Sequence, residues 1–326
     1  ISSVPAYISA EYMQNRMRDK SLSFVLIILC VISLTRIVDS PDYWVVDLLS
    51  HFPIQYAMAA FILLLICLRK KLFSLAVLSG LLMFFNLGAL NDSAGTVQAS
   101  RHPGSTFLVY SGNLHIFNHD ISKLNSELQK MAPDIVLLLE MTADHHKQIQ
   151  PVMESYPFHI EQTLSQEKGI GFLFLSKFPI IDKDIKKLSS VCNFLLTARL
   201  EINQKPVVFY GFHAQRPGIQ NHNERRDQFL FLAREIKKQT LPVIVSGDFN
   251  ATPFSPTFRQ LVGISGLRDS RAGFGWQPSW PSYFPPLWIP IDHMLVSRDI
   301  IIHNRATGSY FGSDHYPIFA ELSINN

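Results

Sequence analysis

Hydrophobic and polar positions along this chain follow two different rhythms. Within residues 1–91 there are three uncharged stretches, 21–35, 52–68 and 72–91, whose apolar residues fall on all sides of a helix. Further on, apolar runs of roughly four to eight residues alternate with polar segments and with stretches whose apolar positions recur at helical spacing. A bilayer core needs about 20 residues of apolar helix. The third stretch meets that length, and the first two approach it once flanks such as Ile37 and Val38 are counted and Arg36 reaches back to the interface. Core helices of soluble proteins seldom lack a polar face. The expectation is therefore an N-terminal membrane domain of three transmembrane helices (1–91), a polar linker (92–105) and an outer domain (106–326).

In the outer domain, residues 106–110 read as the first strand, and Asn118 or Asp120 can cap a helix carrying Ile121, Leu124, Leu128 and Met131 on one face. Pro133 stops that helix before a strand at 135–139, which is followed by a helix at 143–153 and a strand at 171–175. Residues 194–202 and 206–212, joined by Asn203-Gln204, read as a hairpin. The helix at 224–238 buries Phe229, Leu232 and Ile236, leaving Arg225, Arg226, Arg234, Lys237 and Lys238 on a face expected to be solvated. A strand at 243–246, a helix at 256–262 and strands at 289–296 and 316–324 complete the set. Helices interleaved with both hairpin and crossover strands predict a layered α/β architecture with mixed sheets.

Charge fixes the expected orientation. Arg16, Arg18 and Lys20 precede the first apolar stretch and Arg69, Lys70 and Lys71 separate the second from the third, whereas Asp39, Asp42 and Asp47 lie between the first two. Basic flanks stay in the cytoplasm, so the outer domain is expected outside it, with a bacterial inner membrane as the setting. No small-x-small cleavage site follows the first stretch closely, so it is expected to be retained. From residue 91 onward there are 22 Lys plus Arg and 21 Asp plus Glu, a net +1 that argues against a nucleic-acid substrate. Cys192 is alone in the outer domain, beside Val191, Asn193 and Phe194, and reads as a packed thiol.

Candidate chemistry sits where apolar runs end. Asn113, Glu140, His213, Asp248 with Asn250, and Asp314 with His315 each close or follow such a run. A polar residue at the end of a buried strand points into the cleft above the sheet. Hard oxygen donors with two imidazoles in one cleft suit divalent-metal phosphoester chemistry. The order of Asn113, Glu140, His213, Asp248, Asn250, Asp292, Asp314 and His315, and above all Ser-Gly-Asp-Phe-Asn-Ala and Ser-Asp-His-Tyr-Pro-Ile, resembles the endonuclease/exonuclease/phosphatase superfamily over residues 107–324.

That resemblance implies a four-layered sandwich, two packed mixed sheets flanked by helices, and a divalent cation, magnesium with manganese as alternative. It implies Glu140 as main metal ligand, with Asn113 and Asp314 in support. It implies Asp248 and Asn250 orienting the attacking water and the phosphoryl oxygens, His315 as acid or base held by Asp292, and His213 donating to a non-bridging oxygen. Leu139 stands where nuclease relatives often carry Gln, and Gln166, Glu167 and Lys168 are possible counterparts of a further polar residue, so the resemblance leaves the substrate open. His293, the strand neighbour of Asp292, is expected on the opposite face and structural. Arg216 reads equally well as a ligand for an anion or a loop ion pair.

Residues 273–291 gather Phe274, Trp276, Trp280, Tyr283, Phe284 and Trp288 among five prolines. Such rings suit either a membrane interface or the covering of a sheet edge. The substrate-binding set expected is Asn113, Asn250, Arg216 and Trp280. The leading expectation is a membrane-tethered phosphoesterase acting on a phosphodiester of a lipid or envelope component. An extracytoplasmic nuclease with a basic groove of Arg216, Arg225 and Arg226 is second, and a non-catalytic receptor for a phosphorylated ligand third.

Overall fold

The computed structural model describes residues 6–93, 105–162, 171–188 and 193–325. Cys192, the stretch 166–168 and most of the linker, 94–104, lie outside the described residues.

Four helices open the chain: α1 (Ala6–Leu34), the short α2 (Trp44–Leu49), α3 (Pro53–Arg69) and α4 (Phe73–Leu87). Leu26, Leu29, Ala60, Leu63 and Leu82 pack between α1, α3 and α4. The outer surfaces are apolar too, with Phe24, Ile27, Phe61, Leu65, Val77 and Leu81 exposed. Two segments, Asp19–Ile37 and Phe73–Leu90, are long and apolar enough to cross a bilayer. Of the three spans expected, two correspond among the described residues to helices of sufficient length and apolarity, and the remaining one does not. Pro53 starts α3 and a turn at Lys71, φ 59°, ends it, so its 17 residues stop short.

The remainder is a sandwich of two six-stranded sheets. Strands β1 (Phe107–Asn113) and β2 (Ile135–Met141) are parallel neighbours linked through α5 (Ser122–Met131), and α6 (Ala143–Met153) follows β2. With β3 (Phe158–Gln162) and β4 (Gly171–Ser176), and with β11 (Ile300–Thr307) and β12 (Ile318–Ile324) from the C-terminus, they form the first sheet, ordered β11-β12-β1-β2-β4-β3. The second contains β5 (Ile180–Lys187), β6 (Phe194–Ile202), β7 (Lys205–His213), β8 (Val243–Asp248), β9 (Arg268–Asp269) and β10 (Asp292–Val296), in the order β5-β6-β7-β8-β10-β9. Its central pair, β7 and β8, is again parallel and linked through a helix, α7 (His222–Lys237), with α8 (Pro256–Ser265) after β8.

Alternation along the strands builds the layers. Ile135, Leu137 and Leu139 face the opposite sheet, where Phe172 stacks on Phe194 with ring centroids 4.3 Å apart. Val136 and Leu138 face outward onto Leu124, Leu128 and Ile149 of the covering helices. Central strands buried on both sides read as continuous apolar runs for this reason. The helix expected at 143–153 has those bounds, started by Thr142, whose hydroxyl accepts from the His145 amide while His145 Nδ1 accepts from the Thr142 amide. The earlier helix lacks the expected side-chain cap and begins at Ser122, with Asp120 accepting from the Ser122 amide at 2.9 Å.

Gly247 is where the sandwich tolerates no side chain. Its φ is 144°, and a Cβ there would lie 1.9 Å from the carbonyl oxygen of Phe212 on the neighbouring strand. Gly247→Ala is expected to cost about 3 kcal/mol or more, backbone strain and overpacking acting together. An unchanged midpoint of thermal unfolding would contradict that.

Candidate active site

Both parallel pairs end at one edge of the sandwich, and their last residues converge across the seam. Asn113 ends β1 and His213 and Asp248 end β7 and β8, while Asp292 opens β10 directly opposite Asp248. Glu140 gets there by an irregularity. A bulge between Leu139 and Met141 shifts the register, and Glu140 sits in it at φ 55°. Strict alternation would have sent its carboxylate to the helix-covered face with Leu138; bulges re-aim side chains in this way. A left-handed non-glycine residue buried at a strand end is strain of the kind that accumulates at functional sites.

The knot is tight. Asn113 Nδ2 donates to Glu140 Oε1 and to Asp248 Oδ2, each at 3.1 Å. His213 Nε2 stands 3.8 Å from the same two carboxylates, and its Nδ1 is buried without a partner among the described residues. Asn250, at φ 47°, donates its amide to Asp248 Oδ1 at 2.8 Å and its Nδ2 to the Ala214 carbonyl at 3.1 Å. His315 Nδ1 is 2.8 Å from Asp292 Oδ2, and its Nε2 is 3.8 Å from Asp248 Oδ2. The segment carrying His315 is fastened to β1, because Ser313 Oγ donates to the Asn113 carbonyl at 2.7 Å and accepts from the His315 amide.

Two carboxylates facing two imidazoles polarise one another. Burial alone would lower the His315 pKa, but Asp292 and Asp248 outweigh it and push the imidazole up to about 10. Burial and the neighbouring Asp292 raise Asp248 to about 6 against the pull of His315 and His213. Burial would raise Glu140 as well, yet His213, the Asn113 amide, His315 and Arg216 together hold its carboxyl below the ordinary range. Glu140 thus stays ionised while Asp248 can take a proton near neutrality.

The donor set fits a hard divalent cation. Glu140 and Asp248 supply carboxylate oxygens, and Asp314 Oδ1 is buried with no hydrogen-bond partner among the described residues. Ligand atoms of Asp248, Asp292 and His315 also lie within 4.8 Å of one another. Glu140, tied to Asp248 through Asn113, offers a carboxylate on the other side of the knot.

All eight residues singled out from the motif order lie at this edge. Arg216 Nη2 is 3.5 Å from Glu140 Oε1 with its side chain mostly exposed, and Trp280 Nε1 donates to Asp314 Oδ2 at 3.1 Å. His293 is structural as expected: Nε2 meets the Ala251 carbonyl at 2.8 Å and the ring packs on Phe249 and Phe258. The aromatic segment divides. Trp276 stacks on Phe254 and Trp288 packs on Tyr316, while Tyr283, Phe284 and Leu287 are exposed.

The basic helix departs from expectation. Arg225 is not on a solvated face: it is fully buried, 3.4 Å from Asp47 Oδ2 in α2, and its Nη2 donates to the Asn250 carbonyl at 2.8 Å. Arg226 pairs with Asp42 at 2.6 Å. The basic groove of Arg216, Arg225 and Arg226 therefore does not form. Sequence reasoning missed the whole segment 39–52 as part of the site. Asp47 also accepts from Ser255, His222 meets the Pro41 carbonyl at 2.8 Å, and His51 Nδ1 accepts from the Thr252 amide at 3.1 Å. The signal was present as Asp47 and His51 beside apolar runs, where a carboxylate and an imidazole need partners.

Acid is expected to loosen this contact. Burial, with Arg225 and His293, overcomes the opposing Asp47 and lowers His51 to about 4, against ~6.5 unfolded. Stability from the neutral ring is present above ~6.5 and lost as pH falls toward 4, a difference of roughly 3 kcal/mol. Burial would raise Asp47, but Arg225, His51 and two hydroxyls depress it, so its contribution also disappears on acidification. An unfolding midpoint of the full chain that does not fall between pH 7.5 and pH 4.5 would contradict this.

Two mixed sheets packed face to face with helices outside, and an acid–imidazole knot at the ends of their parallel pairs, define a class of metal-assisted phosphoesterases. The sequence pattern of the endonuclease/exonuclease/phosphatase family matches residues 105–315, and the chain belongs to that family. Family members are phosphoesterases that use divalent metals. The fold is shared with Danio rerio TDP2 in complex with single-strand DNA product, at TM-score 0.57 and 17% identity, over 68% of this chain and 100% of that one. A Bacteroides vulgatus endonuclease/exonuclease/phosphatase superposes at TM-score 0.56 and 18% identity over 68% of this chain and 100% of that one. A mannosyl-6-phosphatase from Bacteroides thetaiotaomicron does so at TM-score 0.54 and 17% identity over 67% and 100%. Comparison of the sequence with curated proteins gives no match.

Proposed function

We propose that this protein is a membrane-tethered, extracytoplasmic phosphoesterase that hydrolyses a phosphodiester of a lipid or envelope component. The observation that carries the chemistry is the His315–Asp292 pair standing 3.8 Å from a buried Asp248 that shares Asn113 with Glu140. Glu140, with Asp248 and Asp314, would hold magnesium or manganese, which neutralises charge developing on the phosphoryl oxygens. Asn113 fixes the two carboxylates, so the pocket for the phosphate is preorganised. Asp248, ionised and anchored by the Asn250 amide, accepts the proton of the attacking water. His315, kept protonated by Asp292, stabilises charge at its Nε2, and His213 and Asn250 offer N–H donors to non-bridging oxygens. Arg216 is free to swing from Glu140 to an incoming anion.

Tethering is supported by the two apolar helices, Asp19–Ile37 and Phe73–Leu90, and by the apolar outer surface that α3 shares with them. The lipid reading is supported by the aromatic tip. Gln55, in the first turn of α3, donates to the carbonyls of Pro286 and Trp288, so exposed Tyr283, Phe284 and Leu287 sit beside the helix bundle. Amphipathic rings at that level suit a membrane interface.

A second reading, cleavage of nucleic acid, is favoured by the likeness to TDP2 bound to DNA product. It is opposed by the loss of the basic groove. The test is the full chain in detergent, assayed with magnesium, manganese and chelator against phospholipid and sphingolipid micelles, plasmid DNA, a sugar phosphate and an aryl phosphodiester. Chelator-sensitive release of a lipid headgroup is expected. Cleavage of DNA with lipids untouched would replace this reading with the second.

A further inference from the structure

Beside the knot lies a pocket of about 230 Å³ with walls of two origins. His315, Asp314, Asn250 and Arg216 come from the sandwich, whereas Leu48, His51 and Phe52 come from the end of α2 and the turn into α3. The mouth of the active site is completed by chain that precedes the family match at residue 105.

His51 is 3% exposed. Its Nδ1 accepts from the Thr252 amide at 3.1 Å, with the Thr252 hydroxyl at 3.0 Å. An imidazole whose Nδ1 accepts from a backbone amide carries its proton on Nε2 when neutral. Burial keeps the ring neutral at physiological pH. Nε2–H is buried and has no hydrogen-bond partner among the described residues. A buried donor left unmade costs free energy, so a group that supplies an acceptor there gains by it. Besides the polar groups already named and Trp280, the pocket is lined by apolar side chains: Leu48, Phe52, Pro217, Ile289 and Ile291.

Resting on the phosphoesterase reading above, we infer that this pocket is the subsite for the non-phosphate part of the substrate. His51 Nε2–H donates to an acceptor oxygen near the phosphate, and Leu48 and Phe52 pack on the apolar remainder. A carbonyl or ester oxygen a few bonds from a phosphate, on an otherwise apolar group, is the chemistry of an acylated glycerol or sphingoid phosphoester. A sugar phosphate presents hydroxyls that these apolar walls leave unpaired. The N-terminal segment is therefore a specificity element.

The test is His51→Asn in the full chain. Asn Oδ1 can still accept from the Thr252 amide, as Nδ1 does, but the distal donor is gone. With phospholipid in mixed micelles, kcat/KM is expected to fall about tenfold, mostly through KM, and several-fold more than kcat/KM for bis(4-nitrophenyl) phosphate. Leu48→Asn, on the half-exposed wall, should show the same split and covers the case in which His51→Asn does not fold. Equal losses on both substrates would mean a structural role, and no loss on lipid would mean an idle donor; either overturns the inference while leaving the phosphoesterase reading intact. A wild-type chain that hydrolyses the aryl diester or a sugar phosphate but no lipid overturns both the lipid reading and the subsite.

Discussion

Glu140→Gln is expected to lower phosphoester turnover about a thousandfold while leaving the fold in place. Glu140 is 2% exposed, held below the ordinary carboxylate range, and hydrogen-bonded by Asn113 and by the Ile116 amide at 3.2 Å. Asn113 donates to Oε1 and the Ile116 amide to Oε2, so Gln, of the same shape, keeps one of these bonds through its carbonyl oxygen and sets its NH2 against the other donor, while the bulge at φ 55° carries the same strain in either protein. What disappears is the negative charge that balances His213 and Arg216 and that, in the function proposed above, holds the cation. Loss of one preorganised electrostatic group costs about 10²–10³ in rate, and loss of the proposed metal seat lies at the upper end. His315→Ala should fall comparably, and the double variant little further, since groups acting as a unit are not additive. Turnover within tenfold of wild type, with an unchanged unfolding midpoint, would remove Glu140 from the site.

Asp47→Ala is expected to be the most damaging change outside the catalytic knot, costing about 3–5 kcal/mol, because it strips the partner from a buried charge. Arg225 is fully buried, and its Nη1 has the Asp47 carboxylate at 3.4 Å and no hydrogen bond of its own. Its other nitrogen, Nη2, holds the carbonyl of Asn250, the residue whose amide fixes Asp248. The damage should therefore reach activity as well as stability. Replacing both partners together, Asp47→Leu with Arg225→Met, is expected to recover most of the lost stability, since an apolar pair of similar volume carries no desolvation penalty. Denaturation of the full chain in detergent measures both, and equal stability of wild type and Asp47→Ala would show that solvent compensates the charge.

Much of the sandwich was legible because its central strands are covered on both sides. Phe107–Asn113, Ile135–Met141 and Val243–Asp248 leave no polar positions until their ends, and those ends are the site. Strands at or near the sheet edges gave no such signal. Ile180–Lys187 is Ile-Ile-Asp-Lys-Asp-Ile-Lys-Lys with most positions exposed, and Ile300–Thr307 carries a register shift between Ile302 and Asn304. Solvated, charged edges protect a sheet from further pairing and look like loops. The bulge that aims Glu140 was equally invisible, since nothing in Leu-Leu-Leu-Glu-Met marks a change of register. Arg225 misled for a different reason. Two adjacent arginines in a charged helix read as a wet face, and only the distant Asp47 makes one of them a buried ion. The second apolar stretch was read at its true length of 17 residues, bounded by Pro53 and the turn at Lys71, and was counted as a span only by adding flanks that do not extend the helix.

Because Asn113 belongs to one sheet and Asp248 to the other, a single amide stitches the seam of the sandwich at its reactive edge. A slide of one layer over the other by about an ångström would carry that 3.1 Å contact beyond hydrogen-bond range. Turnover is then a gauge of interlayer registry, and warming should silence the enzyme before circular dichroism registers any loss of strand.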